Sequence, residues 1–193
     1  MNDLYLSRKP LAAFAVIGVA WACYFAQMPV IKAGLDISDA TYGMVILLSA
    51  SGAVAAMYLA PLVERLTGPF ALVCGALGTA IGFMWAGWTP NIISFVLALA
   101  LASAGAGILD VLANGRIAGI EAHTERRLMS LNHAFYSFCY AGAALFTGVL
   151  REAGWTPSQV FPVLALVILA LCFVMYGADD HDEVIEDEAS PKA

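Results

Sequence analysis

The sequence predicts an all-α, polytopic membrane fold of six transmembrane helices arranged as two inverted three-helix repeats. Three observations lead there. First, 61% of the 193 residues are hydrophobic and 12% charged, against about 45–50% and roughly 25% in soluble domains. Second, uncharged apolar runs of membrane-crossing length, about 18 residues or more, recur along the chain. Third, the chain resembles itself when shifted by 88 residues.

The first run, Leu11 to Ile31, follows Arg8 and Lys9, and "AWAC" (Ala20–Cys23) has the look of a lipoprotein cleavage site. It reads as a retained span because it continues to Ile31 and five more follow. These are Tyr42 to Val63, Phe70 to Trp88, Ile92 to Ala113, His133 to Leu150 and Val160 to Tyr176. Strands are excluded: an open sheet edge in lipid leaves backbone groups unsatisfied, and the runs lack the alternation of a barrel wall. Cys23, Cys74, Cys139 and Cys172 each fall inside a span without a CxxC pairing, so they read as small apolar residues, not metal ligands or disulfides.

Basic residues orient the spans, because Lys and Arg are retained on the cytoplasmic side. An inside N-terminus places Arg8, Lys9, Arg65, Arg116, Arg126, Arg127 and Lys192 in the cytoplasm and leaves Lys32 and Arg151 outside. The expected location is the cell (inner) membrane, with both termini cytoplasmic. Residues 1–178 form the bundle, and 179–193, "DDHDEVIEDEASPKA", form an acidic tail or linker that carries much of the net charge of −6. That tail has too little apolar surface to fold alone.

With the 88-residue shift, Ser49, Ala53, Ala55, Ala56, Leu62, Glu64 and Pro69 meet Ser137, Ala141, Ala143, Ala144, Leu150, Glu152 and Pro157. Ala-rich helices align by chance, but the Ser, Glu and Pro matches are not a product of composition. A three-helix unit reverses its orientation on each copy, which makes the pair an inverted repeat of the kind found in secondary transporters. Close helix packing is expected at "GTAIG" (Gly78–Gly82), at Ala102 with Ala106 and at Ala144 with Gly148, where small residues let backbones approach. Pro29 is expected to bend the first span.

Asp110 stands out in "GILDVLANGRIAG" (Gly107–Gly119). An ionised Asp at mid-helix costs roughly 2.5–3.5 kcal/mol on insertion scales, so it is expected to face protein or water. Asn114, four residues on, shares its face. The fourth and fifth spans are expected to be antiparallel neighbours because a short cytoplasmic connection joins them, and depth matching then sets Asp110 level with Phe135 and Tyr136, about 10 Å inside the membrane. Asp110, Asn114, Asn132, His133, Tyr136 and Tyr140 then line one polar seam, with Gln27 of the first span facing the same cavity or gluing helices together. Two readings of the seam follow, a proton and solute pathway or a hydrogen-bonded interhelical clamp. The first suits Asp110 and the second His133.

"LDVLANGRIAGIEAHTERRLMSLNHAFYSFCYAGA" (Leu109–Ala143) resembles the fourth and fifth helices of major facilitator superfamily transporters, in particular the branch of proton-coupled fucose permeases and related sugar porters. "WACYFAQMPVIKAGLDISDATYGMVILLSASGA" (Trp21–Ala53) resembles the first two helices. The resemblance implies half of a twelve-helix fold and a proton-coupling role for Asp110 and Asn114. It also implies a cytoplasmic gate loop at Glu64, Arg65 and Arg116. The loop pattern Gly-x-x-x-Asp-Arg-x-x-Gly survives only as "APLVERLTG" (Ala60–Gly68), and no acid stands in the first span.

The expected function is a non-enzymatic half of a secondary active transporter. It moves a small polar solute, a sugar by resemblance, with protons through an alternating-access cavity. Its partners are the lipid bilayer, the solute, protons and a second six-helix unit: its own C-terminal half, another copy or a separate subunit. Two other classes compete: a non-transporting membrane subunit, and a rhomboid-like intramembrane protease using "SASG" (Ser49–Gly52) with His133. No phosphate loop, nucleotide fingerprint, metal cluster or nucleic-acid patch occurs, so no cofactor, metal or nucleic acid is expected.

Overall fold

A computed structural model describes residues 3–124 and 126–176, and every regular element among them is helical. After a short turn, Asp3–Leu6, the six main helices are α1 (Arg8–Gly34), α2 (Asp39–Thr67), α3 (Ala71–Ala86), α4 (Ile92–Thr124), α5 (Leu128–Glu152) and α6 (Pro157–Met175). Five continuous helical stretches are long and apolar enough to cross a membrane. One of them, Asp39–Ala86, holds two traversals, because the 3-10 turn Gly68–Phe70 separates α2 from α3. The expected six crossings are therefore present, and the fold is an all-α polytopic bundle. The acidic tail expected at 179–193 lies outside the described residues.

The turns carry local signals that the apolar runs do not. Gly68 takes φ +53, a left-handed conformation that costs glycine nothing. Ser38 Oγ accepts from Thr41 N at 3.1 Å and caps α2. Thr156 and Gln159 form a capping box at α6, with Pro157 at its first position.

The helices run past the spans expected from hydropathy. α4 has 33 residues, about 50 Å at 1.5 Å per residue, and extends to Thr124 where the apolar run ends near Ala113. Hydropathy stops at the hydrocarbon boundary, but backbone hydrogen bonding continues as long as residues favour a helix. Glu121 then closes the connection to α5 by accepting from Met129 N at 2.8 Å.

The helix pairing corrects one expectation. α4 packs along α2 and α3, α5 packs along α1, and α4 and α5 touch only sparsely. Depth matching between α4 and α5 as neighbours therefore does not hold. Small residues decide the pairing: a Cβ on Gly105 would stand 2.4 Å from Thr79 N, on Gly82 2.4 Å from Ala102 N, and on Gly52 2.1 Å from Ala100 O. Each is closer than real side chains come, so these glycines permit the α3–α4 and α2–α4 contacts. Gly82 and the buried Ala102 and Ala106 thus pack as expected. A Cβ on Gly148, by contrast, would meet nothing within 4 Å, so the expected Ala144–Gly148 packing face is not one within this bundle.

Exchanging the first three helices with the last three maps α1–α5 onto α4–α2 and α1–α6 onto α4–α3, and all of these pairs are in contact. The inverted repeat is thus present in the packing. α1 is the central helix: 72% of its most apolar 18 residues are buried in the bundle, against 6% for α5. α2 buries a single stripe, Val45, Ser49, Gly52, Ala56 and Ala60, whose three- and four-residue spacing is one helix face.

Candidate functional site

A groove of about 510 Å³ opens between α1, α2, α4 and α5. α1 contributes Trp21 and Phe25, α2 Ile46, Ser49, Ala50 and Ala53, α4 Ser103, and α5 Tyr136 and Tyr140. α3 and α6 contribute nothing to it. The pairing explains this arrangement: α2 and α5 flank the central α1 and α4, while α3 and α6 close the opposite side.

Helical spacing extends the groove toward the end of the bundle where Arg8, Arg65 and Arg116 lie. Asp110 stands seven residues, about two turns, from Ser103 and so lies on the same face of α4. It is exposed. Asn114 Nδ2 donates to Asp110 Oδ1 at 3.1 Å and to the Asp110 carbonyl at 2.8 Å. On α5, His133, Tyr136 and Tyr140 follow a three- and four-residue spacing on one face. The His133 ring lies 4.8 Å from that of Phe14, and Tyr136 stands edge-on to Phe14 at 6.4 Å.

The expected single seam is therefore divided. Tyr136 and Tyr140 line the groove, whereas Asp110, Asn114 and His133 are not among its lining residues. Asn132 is fully buried and its Nδ2 donates to Leu128 O at 2.8 Å, on its own helix. Gln27 is fully buried at the other end of the bundle, where its Nε2 donates to Trp155 O at 3.2 Å. Beside it Arg151 Nη1 donates to Ala26 O at 2.7 Å, a second tie to α1. Gln27 thus ties α1 to the connection after α5, whereas the Asn132 amide bonds within α5. One residue in a turn rotates a side chain by 100°, which separates Asn132 from His133 although the two are adjacent in sequence.

The gate-loop residues are partly brought together. Arg116 Nη2 lies 3.7 Å from Glu64 Oε1, joining the end of α2 to α4, while Arg65 is exposed. The protease pairing is not formed: Ser51 Oγ donates to Leu48 O at 2.6 Å on α2, and the His133 ring packs against Phe14 at a tilt of 56°.

Sequence reasoning missed Trp21, Phe25, Ser49 and Ser103. Aromatic and hydroxyl residues in an apolar run look like ordinary core, and only helix pairing reveals the faces they line.

Residues 11–192 match the family model of the Major Facilitator Superfamily. The chain belongs to the Major Facilitator Superfamily. This superfamily of membrane transporters agrees with the non-enzymatic expectation and with six apolar helices in an inverted repeat. The chain is similar to "Membrane protein MosC" of Rhizobium meliloti, 25% identical over 170 residues that cover 86% of this chain and 41% of that protein. It is also similar to "Uncharacterized transporter y4wD" of Sinorhizobium fredii (strain NBRC 101917 / NGR234), 29% identical over 168 residues that cover 83% of this chain and 43% of the relative. The matched region thus spans less than half the length of these relatives. No solved structure matches the chain. The finer resemblance to the fucose-permease branch is not carried by these similarities.

Proposed function

We propose that this superfamily member is the six-helix half of a secondary active transporter, and that its groove is one wall of an alternating-access cavity. The observation that carries the reading is the position of Asp110. An acid lies on the same α4 face as Ser103, two turns along from a groove walled by four helices. The opposite wall is a second six-helix unit covering the open sides of α2 and α5. The length of the matched relatives supports such a unit. It is the chain's own continuation, another copy or a separate subunit.

In this reading the solute is small and polar, of the sugar type by resemblance. It moves with a proton carried at Asp110, and Asn114 orients the carboxyl. His133, one turn from Tyr136 on α5, and the Tyr136 and Tyr140 hydroxyls complete the proposed pathway. The basic end faces the cytoplasm of the inner membrane, as the Lys and Arg distribution supports. There the Glu64–Arg116 pair and Arg65 form the gate loop. Alternating access then consists of rocking this bundle against its partner about the groove.

The test is uptake into proteoliposomes containing the full-length protein, with and without an imposed pH gradient. Gradient-driven uptake that disappears in Asp110→Asn while solute exchange persists is the expected result. Unchanged gradient-driven uptake in that variant removes Asp110 from the mechanism.

A further inference from the structure

We infer that this bundle recognises its solute through an uncharged, ring-bearing face, by stacking, and that the lining of the groove holds no charge to meet an ionised group. The inference rests on the groove being a solute pathway and specifies what the pathway accepts.

The groove is framed by two aromatic pairs on facing helices. Trp21 and Phe25 of α1 are stacked, with ring centroids 5.7 Å apart and planes 28° from parallel. Tyr136 and Tyr140 of α5 lie 6.1 Å apart at 40°. Phe25 is 44% exposed although it sits on the most buried helix of the bundle, so its ring surface is offered to the groove and not spent on the core. The α2 side is lined by Ile46 and by the small residues Ser49, Ala50 and Ala53. A volume of about 510 Å³ lies in the range that holds one small molecule of one or two rings.

Charge supports the same conclusion. None of the residues lining the groove is Asp, Glu, Lys, Arg or His. A charge taken out of water without a partner is costly, so an ionised group seated against this wall would be disfavoured. The polar atoms on offer are the half-buried Tyr136 and Tyr140 hydroxyls, since Ser103 and Ser49 are buried and the Ser49 hydroxyl donates to Ile46 O at 2.9 Å. Such a surface suits a ring with an apolar face and hydroxyl groups at its edge. Asp110 stands outside this lining, so recognition and charge movement are spatially separate on α4.

The experiment places a thiol at Ala53→Cys in the full-length protein in native membranes. Its reaction with a water-soluble maleimide is followed by peptide mass mapping, which separates it from the four native cysteines. Three probes are compared: trans-1,2-cyclohexanediol, open-chain 1,6-hexanediol and ionised cyclohexanecarboxylate. The ring diol is expected to slow labelling roughly three- to tenfold at concentrations where the other two leave it unchanged, as ring stacking predicts. The double variant Trp21→Leu, Tyr140→Leu in the same background is expected to lose that protection while the thiol still reacts. Equal protection by both diols, stronger protection by the carboxylate, or no protection by the ring diol overturns the ring assignment and leaves the pathway standing. A thiol that never reacts with the water-soluble reagent overturns the pathway itself.

Discussion

Asn114 Nδ2 reaches Asp110 Oδ1 at 3.1 Å and the carbonyl of the same residue at 2.8 Å, one turn apart on α4. The acid in the apolar fourth helix therefore has its own intrahelical donor, independent of any neighbouring helix. Removing that donor with Asn114→Leu is expected to slow gradient-driven uptake roughly fivefold. A hydrogen bond to a charged group contributes about 1.5–3 kcal/mol, discounted here to about 1 kcal/mol because Asp110 is exposed in this bundle. Asn114→Asp or Asn114→Leu variants with wild-type uptake at every imposed gradient would contradict the role.

The close approach of α3 to α4 yields a stability prediction with an internal control. A Cβ on Gly105 would come 2.4 Å from Thr79 N, whereas on Gly148 it would meet nothing within 4 Å. Gly105→Val is expected to destabilise the bundle by about 1–3 kcal/mol through overpacking. Gly148→Ala is expected to be neutral or slightly stabilising, since alanine favours helix. Melting temperatures in detergent measure both, and equal melting temperatures would refute the packing order.

At the end opposite Asp110, two side chains tie α1 to α5 and its following loop with different consequences. Arg151→Met leaves the Ala26 carbonyl near Pro29 without its 2.7 Å donor and is expected to cost about 1–3 kcal/mol. Gln27 makes one bond of 3.2 Å, and its buried Oε1 meets no donor among the described residues. Gln27→Leu is therefore expected to change stability by less than about 1 kcal/mol, because apolar replacement removes a poorly satisfied group. Thermal unfolding of the two variants side by side decides between them; a larger loss for Gln27→Leu would reverse the assignment.

The Glu64–Arg116 pair at 3.7 Å has one well-covered partner and one nearly half exposed. Its contribution to stability is expected to stay below about 1 kcal/mol, so Glu64→Gln should melt close to wild type. Its functional effect is expected in transport rate, since the pair joins α2 to α4, which move as one body in the proposed rocking motion. A variant that melts normally and transports at the wild-type rate at low and high salt would exclude a gate role.

Much of the fold was legible because a bilayer imposes long apolar runs and forbids open strands. Runs such as Ile92 to Ala113 announced their helices, and the Ser49, Glu64 and Pro69 matches announced the repeat. The ends of the helices were less legible: α4 continues through polar residues to Thr124 because helix propensity, unlike hydropathy, does not change at the membrane surface.

The candidate site was half legible. Asp110 and Asn114 were visible because a charge in an apolar run is expensive, and Tyr136 and Tyr140 because they share a face with His133. Trp21, Phe25, Ser49 and Ser103 were not, since nothing in a one-dimensional pattern distinguishes an aromatic that fills a core from one that walls a groove.

The sequence by itself determined the solvent of this protein, the number of its crossings and the presence of an acid in its apolar fourth helix, because each follows from the free energy of moving single residues or short runs between water and lipid. Only the tertiary structure decided that α5 lies on α1 and α4 on α2 and α3, and hence which faces meet across the groove. In lipid, helices choose partners by how closely their backbones can approach, and that choice rests on glycines such as Gly52, Gly82 and Gly105 finding complementary surfaces far away in the chain.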